Sequence, residues 1–332
     1  CTAPEHGPGS VTVSVTNSAG HQDTTRGAGA RFEYKSEVGT WVAEPSRGPV
    51  SGGTKVTVAG TVMEMGADGV DCIFGSDRVS AVVTANEGLV CTVPLTRTSG
   101  LVDMWLAHAA SETRMGGSVQ FEYYVAPRLT GVWPSRGVLM GGTAVSVTGS
   151  GFLDDAGLRC RFGESGTVEV GAGARWVSST MVMCVAPRSV EDQAMQVALE
   201  VSVNGGADFT RDGLEYLYEA GATVEALHPS WGVSGTAGQV VTVVGRHFAR
   251  GGELSCKFGL EGSSRGQYSS STMVACKVPE RGSGTVTVSV SNNGVEFGSG
   301  GVFFVLKDLK SSWKVHPSNG PLSGGTLVTL MG

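Results

Sequence analysis

Apolar and polar residues alternate over short stretches along the whole chain. Lys55-Val56-Thr57-Val58, Ala144-Val145-Ser146-Val147, Val240-Val241-Thr242-Val243 and Leu327-Val328-Thr329-Leu330 share a period of two, which sends successive side chains to opposite faces of a strand. Leu199 to Val203 and Val286 to Val290 continue the pattern, and Asn204-Gly205 and Asn293-Gly294 separate them from Tyr216 and Tyr218 and from Phe303-Phe304. An Asn-Gly step between alternating segments predicts a hairpin. Val11 to Val15, Asn17 and Phe32-Glu33-Tyr34 form an earlier copy, whereas between Leu101 to Ala107 and Phe121-Glu122-Tyr123-Tyr124 a longer loop through Ser111 to Gly117 is expected. No segment sustains a 3.6-residue period, so the elements are strands.

The strands recur in a fixed order. Pro-Ser-x-Gly stands at Pro45, Pro134, Pro229 and Pro317, a period of about 90 residues, and such self-similarity marks a repeat architecture. Each copy is followed by Gly52-Gly53-Thr54, Gly141-Gly142-Thr143 or Gly324-Gly325-Thr326, with Thr236-Ala237-Gly238 as the deviant third, and then by the alternating strand. Further on come Cys72-Ile73-Phe74-Gly75, Cys160-Arg161-Phe162-Gly163 and Cys256-Lys257-Phe258-Gly259, answered by Cys91-Thr92-Val93-Pro94, Cys184-Val185-Ala186-Pro187 and Cys276-Lys277-Val278-Pro279. Cys1-Thr2-Ala3-Pro4 is a fourth Cys-x-x-Pro without its upstream partner. About seven short strands per unit describe a small antiparallel sandwich. The expected division is a C-terminal part of a repeat over 1–38, full repeats over 39–125, 126–219 and 220–306, and the opening strands of another over 307–332.

These motifs, with Gly-x-x-Phe at Gly149 to Phe152 and Gly245 to Phe248, resemble the IPT/TIG immunoglobulin-like domain over nearly the whole chain. The resemblance implies an all-β fold, a tandem array of immunoglobulin-like IPT/TIG β-sandwiches. Such domains occur in plexin-type and fibrocystin-like ectodomains, in bacterial and protist surface proteins, and singly in some transcription factors. Tandem copies with two cysteines each resemble the extracellular branch. Val62 or Met63 replaces the usual Phe of the first full unit, and the third lacks Gly-Gly-Thr; both departures concern loop shape.

The seven cysteines sort into Cys72 with Cys91, Cys160 with Cys184 and Cys256 with Cys276, leaving Cys1. Each pair is read as an intradomain disulfide, closing a loop of about 20 residues and contributing about 3 kcal/mol; such bonds persist in an oxidising compartment. A zinc site would want short Cys-x-x-Cys or Cys/His clusters, which the sequence lacks. Cys1 is a candidate for inter-segment or intermolecular pairing, since its Cys-x-Phe-Gly strand lies elsewhere.

Composition narrows the function. The formal net charge of −6 argues against a nucleic-acid partner, which needs a basic surface, and paired cysteines in series argue against an intracellular transcription factor. No apolar run reaches the ~18–20 residues of a spanning helix. Gly262-Ser263-Ser264-Arg265-Gly266 matches a hydrolase elbow only in letters, since that turn needs a strand before it and a helix after it. His6, His21, His108, His228, His247 and His316 show no ligand spacing within a unit, and His228 and His316 precede a repeat Pro, as Glu44 and Trp133 do. Asp154-Asp155 and Asp68 to Asp71 lack the alternating oxygens of a calcium loop and are read as solvated turn carboxylates. Phe74, Phe162 and Phe258 are expected in the cores, and Trp41, Trp133 and Trp313 near the junctions. Asn17, Asn86, Asn204, Asn292, Asn293 and Asn319 all fail as N-glycosylation sequons, so N-linked glycans are not expected; O-linked sugars stay open.

No catalytic constellation, cofactor site or metal site is expected. The leading expectation is a non-enzymatic extracellular structural protein that builds or belongs to a surface filament, appendage or wall layer, because repeat arrays make length from regular units. Its partners would be further copies of itself, through strand donation from Gly320 to Met331 to Val11 to Tyr34, or the continuation of its own chain; the second is preferred because strand donation would leave Cys1 unpaired. The alternative is the ectodomain stalk of a cell-surface receptor or adhesin. Both readings place the protein outside the cell or on its surface.

Overall fold

The computed structural model describes residues 2–4, 6, 9–13, 30–34, 41–60, 69–84, 88–110, 112–164, 174–251, 253–260, 262–298, 301–308 and 314–331. Cys1, Val15, Asn17, His21, Val62, Met63, Asp68, Asn86, Ser111 and Trp313 lie outside the described residues. Every regular element among the described residues is a strand, and none is a helix long and apolar enough to cross a membrane. The chain divides into two compact units. The first comprises Cys1–Arg128, Ser150–Arg159 and Val201–Arg211; the second comprises Leu129–Gly149, Cys160–Glu200 and Asp212–Gly332.

In the first unit, one sheet orders Trp41–Glu44, Lys55–Gly60, Gly88–Thr92 and Val82–Thr84. Facing it are Arg47–Pro49, Arg114–Tyr124, Gly100–His108, Val70–Phe74 and Asp77–Ser80. Pro-Ser-x-Gly is therefore a corner. The chain leaves the first sheet at Glu44 and enters the second at Arg47, which pairs in parallel with Glu122. The alternation of Lys55–Gly60 puts Val56 and Val58 inward, where they meet Phe74, Leu89, Leu106 and Phe121 in one core. Trp41 belongs to that core and not to a junction. The loop expected through Ser111 to Gly117 is partly strand, because a register shift between Trp105 and Leu106 lets pairing continue to Leu106–Met115 and Ala107–Arg114 and buries Met115. Earlier in this unit Gly9–Val13 pairs with Ala30–Tyr34.

In the second unit the repeat beginning at Thr223 has the same plan. Thr223–His228, Val240–Arg246, Met273–Lys277 and Gln267–Ser270 face Trp231–Val233, Val302–Lys307, Gly284–Ser291, Ser255–Phe258 and Ser263–Arg265. Its core holds Val241, Val243, Phe258, Val288 and Phe304. The sheets begun by Arg128–Trp133 and Arg136–Val138 form the repeat before it, and Lys314–His316 paired with Thr329–Met331 opens another. We call the repeats opening at Trp41, Arg128, Thr223 and Lys314 the first to the fourth. All four corner prolines, Pro45, Pro134, Pro229 and Pro317, follow a cis peptide bond.

Each Cys-x-Phe-Gly strand shows the reason for its motif. Its Cys crosses to the opposite sheet in Cys72–Cys91, Cys160–Cys184 and Cys256–Cys276, with Cα separations of 6.3, 6.0 and 5.9 Å. Its Phe packs edge-on against an aromatic ring of the closing strand, Phe74 on Phe121, Phe162 on Tyr216 and Phe258 on Phe304, at 5.1, 5.1 and 5.9 Å, a favoured arrangement for ring quadrupoles.

Candidate functional site

The chemistry of this chain gathers where one repeat meets the next. The upstream half of each junction is the corner. Gly48 lies under the Thr54 side chain so closely that a Cβ on it would stand 2.6 Å from Thr54 Oγ1, so the Gly of Pro-Ser-x-Gly exists to seat the Thr of Gly-Gly-Thr. Gly52 has φ 69°, and a side chain there would also meet Leu95 N at 2.7 Å; conformation and space both require glycine. Thr54 and Thr143 are buried among apolar neighbours, and a hydroxyl so placed needs a partner. Each donates its hydroxyl to a carboxylate of the repeat that follows.

The downstream half is the tip of the closing hairpin. Asn204 Oδ1 accepts from Ser202 Oγ at 2.9 Å and from the Asp208 N–H at 2.9 Å. Asn293 Oδ1 likewise accepts from Ser291 Oγ at 2.9 Å and from the Val295 and Glu296 N–H groups at 3.1 and 2.9 Å. The Ser-x-Asn step thus shapes the turn with its carbonyl oxygen and leaves its amide nitrogen free to reach outward.

In the first unit the two halves meet. Thr54 Oγ1 donates to Asp208 Oδ2 at 2.6 Å, and Asn204 Nδ2 donates to the same oxygen at 2.7 Å and to the Arg47 carbonyl at 3.4 Å. The Arg47 guanidinium spans the joint, pairing with Glu122 of its own repeat at 3.0 Å and Asp155 of the next at 3.1 Å. A groove of about 620 Å³ runs beside it, lined by Glu44, Ser46, Arg47, Thr57, Asp155 and Asn204.

In the second unit the arrangement recurs. Thr143 Oγ1 donates to Glu296 Oε1 at 2.7 Å, and Asn293 Nδ2 donates to Glu296 Oε2 at 3.1 Å and to the Arg136 carbonyl at 3.0 Å. Arg136 pairs with Glu219 at 3.2 Å. Burial raises the Glu219 carboxyl above its ordinary range, opposed by Arg136 and Asn292; Glu253 is raised by burial too, with Arg136 opposing. The phenols beside the two joints move the same way. Tyr124 is raised by burial and by Asp208, and Tyr216 by burial against the pull of the Thr143 hydroxyl. A low-dielectric setting of this kind strengthens hydrogen bonds to charge.

Several residues singled out from the sequence fall elsewhere. Asp155 is a junction ligand of Arg47 and not a solvated turn carboxylate. Asp71 is buried in a strand, with Arg78 at 2.5 Å. Gly262 to Gly266 runs through the strand Ser263–Arg265 into the strand Gln267–Ser270, so the segment is no strand-to-helix elbow. Trp133 is exposed, and His228 and His316 end strands on the outer surface. The residues that build the junctions, Arg47, Thr54, Arg136, Thr143, Asn204, Asp208, Asn293 and Glu296, were legible only as turn and strand formers. Their joint recurrence is the signal that would have marked them: Arg and Thr in the first and second corners, then Ser-x-Asn followed within four residues by a carboxylate in the repeat after each.

A tandem array of two-sheet sandwiches, with the same polar clamp at two successive junctions, defines the class of molecule. The IPT/TIG domain family matches residues 43–123, 127–218 and 222–305, and the chain belongs to that family. It is 29% identical to plexin-A3 of Homo sapiens and 30% identical to plexin-A3 of Mus musculus, in each case over 253 residues that cover 71% of this chain and 13% of the relative. The chain therefore spans a small part of those proteins. Among solved structures, the plexin A4 full extracellular region aligns over 78% of this chain and 23% of its own, with 18% identity and a TM-score of 0.39. With its disulfides and these relatives, the protein is extracellular or at the cell surface.

Proposed function

We propose that this array is the non-enzymatic stalk of a plexin-type cell-surface receptor ectodomain, holding a recognition domain at a set reach and direction. One observation carries the reading. Two successive junctions use the same set of polar contacts, Thr54 to Asp208 with Asn204 to the Arg47 carbonyl, and Thr143 to Glu296 with Asn293 to the Arg136 carbonyl. A stalk needs a defined angle at every joint, and contacts with fixed donor and acceptor directions supply one. The relatives favour this reading over a filament or wall layer, for which neither they nor the junctions give specific support.

The test is surface labelling of intact cells with a membrane-impermeant biotin reagent, followed by electron microscopy of the extracted protein. Labelled, separate rods are expected. Long regular filaments with this chain as their repeating mass would refute the stalk and restore the filament.

A further inference from the structure

The clamp asparagine of each hairpin tip is followed by glycine, at Asn204-Gly205 and Asn293-Gly294. An Asn-Gly step carries its own chemistry. The backbone nitrogen of the Gly, with no Cβ beside it to hinder approach, can attack the Asn side-chain carbonyl carbon and expel ammonia. Both asparagines are buried, so their local contacts decide which of the two steps reacts.

Those contacts differ at the attacking nitrogen. The Gly205 N–H donates to the Gly157 carbonyl at 2.8 Å, a bond that attack would have to break. Among the described residues the Gly294 N–H has no acceptor. Glu253 stands three residues before its Cys, as Gly157 does, but its carbonyl oxygen lies on the side where a Gly294 side chain would point, 3.3 Å from a Cβ built there. The steps differ also at the carbon attacked. Negative charge collects on the Asn Oδ1 as the new bond forms. Among the described residues Asn293 Oδ1 accepts from Ser291 Oγ and from the Val295 and Glu296 N–H groups, whereas Asn204 Oδ1 accepts only from Ser202 Oγ and the Asp208 N–H. Donors already aimed at a developing oxyanion favour attack. The joint itself holds the leaving group, since Asn293 Nδ2 donates to the Arg136 carbonyl of the preceding repeat, a bond that exists only while the tip is docked.

We propose that Asn293 is a deamidation site gated by opening of the second joint, and that its conversion makes the opening permanent. In the opened joint the Gly294 N–H gives its proton to solvent base and the nitrogen bonds to Asn293 Cγ. The side-chain nitrogen takes a proton from water and leaves as ammonia. Water then opens the cyclic imide at either carbonyl, giving Asp or isoaspartate, so the net change consumes water and releases ammonia. The product does not fit the docked joint. A carboxylate oxygen in the place of Nδ2 would face Glu296 Oε2 and the Arg136 carbonyl, both of which now accept from that nitrogen. A buried charge beside a like charge, with no donor between them, is strongly unfavourable. Isoaspartate also adds a methylene to the backbone of the turn. The first joint, with its Gly205 nitrogen held, keeps its asparagine. The inference rests on the clamp geometry and stands apart from the receptor reading.

Peptide mapping by mass spectrometry of the folded protein, aged at mildly alkaline pH, reads both steps in one sample, and the same protein unfolded in urea supplies their intrinsic rates. Similar conversion of Asn204 and Asn293 is expected in urea, and conversion of Asn293 several-fold faster than Asn204 in the folded protein. Equal folded rates, faster loss of Asn204, or no conversion of either would overturn the proposal. Thr143→Val removes the hydroxyl bonded to Glu296 and tests the gate. It should speed conversion of Asn293 several-fold and leave Asn204 unchanged; an unaltered Asn293 rate would refute gating. Asn293→Asp keeps an oxygen for the Ser291, Val295 and Glu296 donors, and hydrogen exchange over residues 291–298 should quicken in it while residues 201–211 stay unchanged. Should that variant not fold, the aged wild-type fraction separated by charge gives the same comparison, and a tip that exchanges no faster would show that the product is accommodated and sink the one-way opening.

Discussion

Cutting the Thr54–Asp208 bond tests the clamp most directly. Thr54→Val removes the hydroxyl and keeps the shape; Asp208→Ala removes the carboxylate and also strips Asn204 Nδ2 of an acceptor held at 2.7 Å. A hydrogen bond to a charged group contributes about 1.5–3 kcal/mol. Thr54 is buried, but Asp208 is half-buried and keeps the Asn204 donor when Thr54 is replaced. The coupling therefore belongs at the low end, about 1.5 kcal/mol, or about tenfold in an opening constant. Global unfolding is a poor readout, because a chain of several domains is not two-state. Native-state hydrogen exchange over residues 201–211 reads local opening of the tip, where the Asp208 N–H depends on an Asn204 side chain anchored to the Arg47 carbonyl. In the double-mutant cycle, each single variant should speed exchange, and the second substitution should add little to the first. Effects that sum to within about 0.3–0.5 kcal/mol would show that the two side chains do not meet in solution, and would refute the clamp.

Other perturbations separate its components. Arg47→Met keeps the apolar stem but loses the pairs to Glu122 and Asp155; since these are partly exposed, about 0.2–1 kcal/mol each is expected, with exchange differences at 201–211 that shrink in high salt. Gly48→Ala forces a Cβ to 2.6 Å from Thr54 Oγ1 and 3.1 Å from Phe121 Cζ, an overpacking cost of about 1–3 kcal/mol read as a lower calorimetric Tm and an undocked tip. Burial holds the Glu219 carboxyl above its ordinary 4.5, so its contribution to stability is complete below that value and is lost as pH rises through the folded-state pKa. Arg136→Met removes an opposing cation and should raise that carboxyl further, steepening the fall in Tm as pH increases above 4.5; an unchanged carboxyl titration by NMR would refute the pairing.

The strands were legible because alternation is a local consequence of burying one face. Val56, Val58, Val241 and Val243 are buried as their period of two requires. The Phe of Cys-x-Phe-Gly was legible as core for the same reason. The pairing of Arg114–Tyr124 across the expected loop was not, because it follows from a bulge at Trp105 and Leu106, and a bulge depends on the neighbouring strand. The junctions escaped for a stronger reason. Asn204 does form a turn, so its local role accounts for its presence, and its second role is to a carbonyl 157 residues away in sequence. Thr54 and Asp208, 154 residues apart, have no periodic relation that one repeat viewed alone could reveal.

The chemistry of the clamp explains why those side chains are polar at all. A buried Asn, Thr and carboxylate are costly unless all find partners, and in both junctions they do so only when the tip of the next repeat stands at one position and angle. Apolar contact would hold the repeats together as well, but would tolerate sliding and rotation, since its energy follows area and not direction.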